Sequence, residues 1–428
     1  MPAATGGRII WRMKRLFATF AAGLLLTACG GAAAPASSPA PASTPAKPAA
    51  STAPAASAAA ASAKPAASAS AKPAASVSAK PAASGAASGS AKPAPSLAPV
   101  PKVQLQLTKP LPPLNPPYTV KARVGSSLTT APFWYAIEKG YFDQLGLKFE
   151  EVQIQNSIDI VGPLTRGQID IAGTAFSAGL YNAINRGIDV QAVADNGQLQ
   201  PNLAGSAAVV KKGELSKFGQ DWCALKGKTV AGLDKESGFY ITLLKALQSC
   251  NLTEKDVDIV NPGFAAVNAA VSNGSAQVGF QVEPFVSQGV QAGLVEIWHQ
   301  MDQAFENQQM NMLMYGPDFI KNKDAALRFM VAYMAGVRDY DRDIKPGGDQ
   351  ALLGNILARH LPVKDPNAYS KMIMMGINSN GQVNTPALQE EIQFFQKSGT
   401  VQPGEVKLNW INNDIREQAL EYLGPEKK

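Results

Sequence analysis

The sequence predicts an α/β protein of two doubly wound lobes with extra C-terminal helices, set behind a long N-terminal tether. Three observations predict it. Short Val/Ile-rich runs alternate with helical stripes from residue 118 onward, and the same alternation restarts near residue 228. Between residues 30 and 99, by contrast, few apolar side chains are larger than alanine, so nothing there offsets the entropy of ordering.

The stretch 119–168 sets the pattern. A Val- and base-rich strand stops at Gly125-Ser126-Ser127, and Thr130 with Pro132 behind it opens a helix. Phe133, Ala136, Ile137, Gly140 and Tyr141 share one face of that helix, while Trp134 falls off the stripe at the end nearest the serines. A second strand covers 147–154, and Asn156 with Asp159 caps a helix ending at Gly167. A third strand covers 169–173. Thr174 then opens a helix with stripe Phe176, Leu180, Ala183 and Ile184, and a fourth strand, 188–194, runs into Asp195-Asn196. Right-handed crossovers make this a parallel, doubly wound half.

After a crossing near 203–210 the second half repeats the grammar. Strands at 228–232, 257–260, 276–281 and 294–298 alternate with helices starting at Ser237, after Asn261-Pro262 and after Glu283-Pro284. A return crossing at 310–315 leads to helices at 323–340, 349–360, 366–375, 386–398 and 413–423. Two halves joined by two crossings leave a cleft between them. The expected organisation is 1–28 signal peptide, 29–117 tether, 118–204 plus 305–428 lobe I, and 205–304 lobe II.

Composition supports this division. No Asp or Glu precedes Glu138, whereas 13 of the 39 Lys and Arg do, leaving 26 basic against 33 acidic residues and a net of −7 beyond it. The basic pI therefore belongs to the leader and tether, and a nucleic-acid partner is excluded. Arg8, Arg12, Lys14 and Arg15 precede the apolar run 16–26, which is too short for an ordinary membrane-spanning helix. It ends in Leu26-Thr27-Ala28-Cys29, matching the lipobox of bacterial lipoproteins, so Cys29 is the expected lipidation site and the chain an extracytoplasmic protein anchored to the cell membrane by lipid. Lys-Pro-Ala-Ala-Ser recurs at Lys64, Lys72 and Lys80 and reads as an extended spacer. In an exported chain the remaining pair, Cys223 and Cys250, is expected to form a disulfide. Cys223 precedes a strand and Cys250 ends the following helix, which brings them to one end of that unit.

Catalytic candidates are few. His299 and His360 are the only histidines, and neither has a second ligand at metal spacing. No Walker loop, dinucleotide fingerprint or nucleophile elbow occurs. No cofactor, no metal and no enzymatic activity are therefore expected. Binding residues are more numerous. In a sheet of strand order 2-1-3 the loops after the first and third strands face a ligand. Lobe I places Ser126, Ser127, Thr129, Phe133, Trp134, Thr174 and Phe176 there, with Asp195 and Asn196 at the crossing; lobe II places Ser237, Gly238, Phe239, Glu283 and Phe285. Hydroxyls and helix beginnings suit an anion's oxygens. Ser126, Ser127 and Thr174 read equally well as helix caps. Should Asp195 or Glu283 face the cleft, an amine or an aromatic heterocycle fits better than an anion.

The run PFWYAIEKGYFDQLGLKFEEV, followed by LTRGQIDIAGTAFSAGLYNAINRGIDVQAVAD, resembles the nitrate/sulfonate/taurine-type solute-binding proteins of ABC importers, a family that shares its fold with binders and synthases of the thiamine pyrimidine precursor. The resemblance spans roughly residues 118–425. It implies a type II periplasmic-binding-protein-like fold, a monomer, a small-molecule solute and an ABC permease as partner. Glu283-Pro284 resembles a recurring feature of the family. The cysteine- and histidine-rich signature of the synthase branch is missing, which disfavours the enzymatic alternative; an extracytoplasmic sensor domain implies the same pocket.

Overall fold

The computed structural model describes residues 97–154 and 157–426. The expected signal peptide, lipidated Cys29 and most of the tether lie outside the described residues. Among the described residues no helix is long and apolar enough to cross a membrane.

The first half runs β1 (Tyr118–Arg123), α1 (Ala131–Glu138), α2 (Tyr141–Gln144), β2 (Leu147–Glu151), α3 (Val161–Thr165), β3 (Ile171–Ala175), α4 (Ala178–Asn185) and β4 (Gln191–Asp195). The second runs β5 (Ser206–Lys211), β6 (Thr229–Ala231), α5 (Gly238–Gln248), β7 (Asp258–Val260), α6 (Phe264–Asn273), β8 (Val278–Val282), α7 (Phe285–Gln291) and β9 (Val295–Gln300). The chain then returns through β10 (Asn311–Tyr315) to α8 (Pro317–Lys321), α9 (Lys323–Asp343), α10 (Gln350–His360), α11 (Thr385–Ser398) and α12 (Asp414–Leu423). Two five-stranded sheets result, ordered β2-β1-β3-β10-β4 and β7-β6-β8-β5-β9. Each has the 2-1-3 parallel core expected of a doubly wound half, and the fold is two-lobed.

Each sheet is closed by a strand from a crossing. β10 lies antiparallel between β3 and β4, and β5 lies antiparallel between β8 and β9. Residues 206–211 read as a plain crossing in sequence because Ala207-Ala208-Val209-Val210 is buried on both faces and shows no alternation. Two further expectations need correction. Residues 97–117 do not continue the tether but lie along lobe I, where Val103 N–H donates to Lys139 O at 3.1 Å and Leu114 N–H to Leu145 O at 3.1 Å. Leu105 is buried, and Leu97, Val100, Leu107, Leu111 and Leu114 pack against the core, supplying the apolar area that the preceding stretch lacks. The helix expected at 366–375 is a 3-10 turn over Pro366–Lys371, after which Met374 and Met375 run extended into the crossing.

Lobe I is organised on α9, which is buried along most of its length. Phe133 of α1 packs on Tyr333 and Phe329 of α9, with ring centroids 4.9 and 6.4 Å apart. Lys139 pairs with the largely buried Asp339 at 2.9 Å, and Tyr141 donates to the same carboxylate at 2.6 Å. In lobe II, Cys223 and Cys250 are bonded to each other across a separation of 27 residues. Closing a loop of that size restrains the unfolded chain and contributes about 3 kcal/mol. Cys250→Ser is therefore expected to lower the unfolding free energy by that much, read as a fall in the denaturant midpoint, with a slope equal to or above that of the wild type because the released unfolded chain exposes more surface. An unchanged midpoint, or two thiols alkylated in the native protein, contradicts the bridge.

Candidate binding site between the lobes

β1 delivers Arg123 to the carboxyl edge of its sheet. Gly125 then turns the chain at a φ of 87°, where a Cβ is strained. Ser126 and Ser127 follow, exposed, and a 3-10 turn over Leu128–Thr130 leads into α1. Arg123, Ser126, Ser127, Thr129, Gly173 and Asn311 line a cavity of about 260 Å³. No carboxylate lines it.

Each wall is held from behind. Arg123 Nη1 donates to Gly173 O at 3.0 Å and Nε to Ile154 O at 3.3 Å, so the guanidinium is fixed across the mouth of β1 and β3. Burial lowers its pKa while Glu151 opposes that. An arginine's ordinary pKa lies so far above neutrality that the lowered group still stays cationic at neutral pH. The Ser127 and Thr129 hydroxyls share a hydrogen bond of 2.8 Å, and Asn311 Nδ2 donates to Thr129 Oγ1 at 3.5 Å. Gly173 is required by close approach: a Cβ there would meet Asn196 Oδ1 at 2.7 Å.

A narrow crevice opens beside this cavity and shares Ser126 and Ser127 with it. Its other walls are Leu128 from lobe I, Glu283 and Pro284 from lobe II, and Leu361, Val363, Tyr369 and Met372 from the C-terminal segment. Most of this surface is apolar. A polar chamber bearing one fixed cation therefore joins an apolar slot at two exposed serines.

Of the residues expected from sequence, the structure brings Ser126, Ser127 and Thr129 to the cavity, and Ser126, Ser127 and Glu283 to the crevice. The others serve packing or hinge contacts. Phe133 lies in the lobe I core. Trp134, expected to face the pocket, is buried and stacks on His360 at 4.2 Å, and its Nε1 donates to Thr130 Oγ1 at 2.9 Å. The sequence places Thr174 in a loop, but β3 runs on to Ala175, so Thr174 is buried within the strand. Phe176 stacks on Trp410. Asn196 donates to Thr129 O and Tyr333 Oη at 2.8 and 3.0 Å, and its Oδ1 has no partner among the described residues. Ser237 caps α5 and bridges to Ser177 of lobe I. Gly238 O accepts from Gln308, Phe239 packs edge-on against Phe264, and Phe285 begins α7 with its carbonyl accepting from Asn268.

Neither acid in question is available to a ligand. Glu283 accepts from Ser287 N, Ser287 Oγ and Ile373 N at 3.1, 2.9 and 3.0 Å, thus capping α7 and tying lobe II to the C-terminal segment. Asp195 is fully buried and accepts from Gly197 N, Gln309 Nε2 and Asn378 N at 2.8, 2.7 and 2.7 Å. Burial pushes its carboxyl up to about 6 against those donors. Sequence reasoning missed Arg123 and Asn311. Arg123 stands at the end of a strand directly before the serine loop, a legible position; Asn311 reaches the cavity only through the register of β10 against β3.

Residues 128–340 match the family described as NMT1/THI5 like. This stretch is an NMT1/THI5-like domain. No curated protein sequence matches the chain. Among solved structures, a ligand-binding component of an ABC-type import system from Staphylococcus aureus, with zinc bound, shares 16% identity at a TM-score of 0.58, covering 71% of this chain and 99% of that one. A periplasmic sulfonate-binding protein from Methylobacillus flagellatus shares 19% at 0.55, covering 72% and 94%. The periplasmic nitrate-binding protein of Synechocystis shares 16% at 0.54, covering 71% and 88%. At these identities the likeness shows the fold, in which the NMT1/THI5-like domain spans both sheets. Among the described residues the only candidate metal cluster is Asp221 with the two bridged cysteines, away from the cavity.

The Asp195 contacts give a direct test. Replacing Asp195 by Ala removes the acceptor of two buried donors, Gly197 N–H and Gln309 Nε2, and of the half-buried Asn378 N–H, at a cost on the order of 1 kcal/mol each. A loss of about 3 kcal/mol in thermal or denaturant unfolding is expected; a loss below about 1 kcal/mol contradicts the role assigned to this carboxylate.

Proposed function

We propose that this chain is the extracytoplasmic solute-binding component of an ABC importer, carried by a lipid on Cys29, and that its solute is a small organic anion. The observation that carries the reading is the cavity at the end of β1: a fixed arginine, three hydroxyls and an amide, with no acid among the lining residues. Such a set favours the oxygens of a sulfonate or carboxylate by charge and by hydrogen bonding. The adjoining crevice, walled by Leu128, Pro284, Leu361 and Tyr369, is apolar but holds only about 10 Å³ as it stands, so it takes a short apolar tail only if its walls part on binding. The sulfonate-binding relative of like fold agrees with an anion, as does the nitrate-binding one, but an inorganic ion leaves the crevice unused.

In this reading residues 118–204 plus 305–428 act as one lobe and 205–304 as the other. They close by a hinge through the crossings near 203–205 and 304–311. The solute bridges serine hydroxyls of one lobe and the Pro284 ring of the other, so it binds the closed form better and shifts the population toward it. The permease then distinguishes closed from open.

Calorimetric titration with straight-chain alkanesulfonates tests this. Affinity is expected to rise with each methylene by up to about 0.8 kcal/mol until the crevice is full. Arg123→Gln is expected to weaken binding at least tenfold, about 1.4 kcal/mol, with the circular dichroism spectrum preserved. Wild-type affinity in Arg123→Gln contradicts the anion assignment.

A further inference from the structure

Through residues other than those lining the cavity, lobe II is already fastened to lobe I. α5 belongs to the second sheet by sequence, yet its Tyr240 and Ile241 are buried in the same apolar cluster as Phe176, Tyr181 and Phe395 of lobe I. Ala178 N–H donates to Glu236 O at 3.1 Å just before α5. Inside this apolar contact lies a closed polar chain. Gln308, on the return crossing, donates from Nε2 to Gly238 O at 2.9 Å and to Glu391 Oε2 at 3.0 Å. Thr242 Oγ1 donates to Gln308 Oε1 at 2.6 Å. Thr242, Gln308 and Glu391 are all fully buried.

Glu391 has no counter-charge. Its Oε1 is buried with no hydrogen-bond partner among the described residues. The one cation facing it from α5 is Lys245, which pairs with Glu390 at 2.6 Å. Glu390 is also the nearest like charge, on α11 itself. The one ionisable side chain of α4 is Tyr181, whose hydroxyl accepts from Lys407 N–H at 3.0 Å, and Tyr240 of α5 directs its hydroxyl to Glu254. On the crossing Glu306 is bonded by Asn307 and Asp302 by Asn202, so only the Gln308 side chain and the Gln309 backbone address Glu391.

We propose that Glu391 is a positioning residue that latches the closed form: uncharged, it lets Gln308 hold the start of α5 against lobe I, and its ionisation drives α5 off and opens the lobes. Ionising a carboxyl sealed in an apolar contact without a partner costs far more than ionising it in water, so the open form, which admits water, takes up the charge. Burial pushes this carboxyl up to about 8, against the Gln308 amide and the Gln309 N–H. An unfolded or exposed glutamate titrates near about 4.3. The closed form therefore holds a proton that the open form has lost, closure is favoured at low pH, and it weakens as pH rises through about 8. The closed and open forms and the link to solute release rest on the transport reading; the pH-dependent contact of α5 with α11 does not.

Hydrogen exchange of the full chain, read by mass spectrometry at pH 6.5 and 9.0 and corrected for intrinsic rates, tests the latch. Protection of residues 237–244 and 388–394 is expected to fall at least tenfold at the higher pH, while residues 323–340 of α9 hold steady. Glu391→Gln, which cannot ionise, is expected to change less than threefold in the same segments. A flat wild-type response, a response shared by α9, or a Glu391→Gln protein that follows wild type overturns the proposal. The wild-type comparison of segments decides even if the variant does not fold. Titration with butanesulfonate at both pH values separates the two ideas. Affinity falling fivefold or more in wild type alone supports the coupling. No binding at either pH with the exchange pattern intact refutes the solute reading and leaves the pH-dependent contact standing.

Discussion

The architecture depends on one buried carboxylate at the junction of the crossings. Asp195 ends β4, and it receives Gly197 of the outgoing crossing, Gln309 of the return crossing and Asn378 of the C-terminal segment. Tyr333 of α9 adds a hydrogen bond to its carbonyl at 2.8 Å. Four stretches distant in sequence are thereby fixed at one point, at the level of the sheet where β10 enters between β3 and β4. A satisfied polar knot of this kind specifies one arrangement of the crossings, whereas an apolar patch of equal area tolerates several.

From that knot the site follows. β10 places Asn311 beside β3, and Asn196, next to Asp195, holds the Thr129 carbonyl at 2.8 Å. The serine loop is thus pinned at Thr129 while Ser126 and Ser127 stay exposed. Charge in the cavity comes from Arg123 rather than from helix beginnings. Fixed by two carbonyls, the guanidinium keeps its orientation without a salt bridge, which leaves its charge for a ligand.

Much of this was legible in the residues. The alternation of strand and helix gave both 2-1-3 cores, and the serine loop lies at the cavity. What was not legible depends on long-range pairing. Ala207–Val210 carries no period that marks a central strand, and the burial of Thr174 turns on β3 running two residues beyond its apolar run. Trp134 sits off the helix stripe as expected. Its cover comes from His360, more than two hundred residues away, which no local pattern announces. Residues 97–114 read as tether in sequence because proline density masks their regular leucines.

In the function proposed, two lobes joined at the Asp195 knot close on a solute held by Arg123. Small-angle scattering of the full chain without Cys29 lipid, with and without saturating alkanesulfonate, measures this most directly. A smaller radius of gyration with ligand, absent in Arg123→Gln, is the predicted result; a radius indifferent to a demonstrably bound ligand contradicts closure of the lobes on the solute.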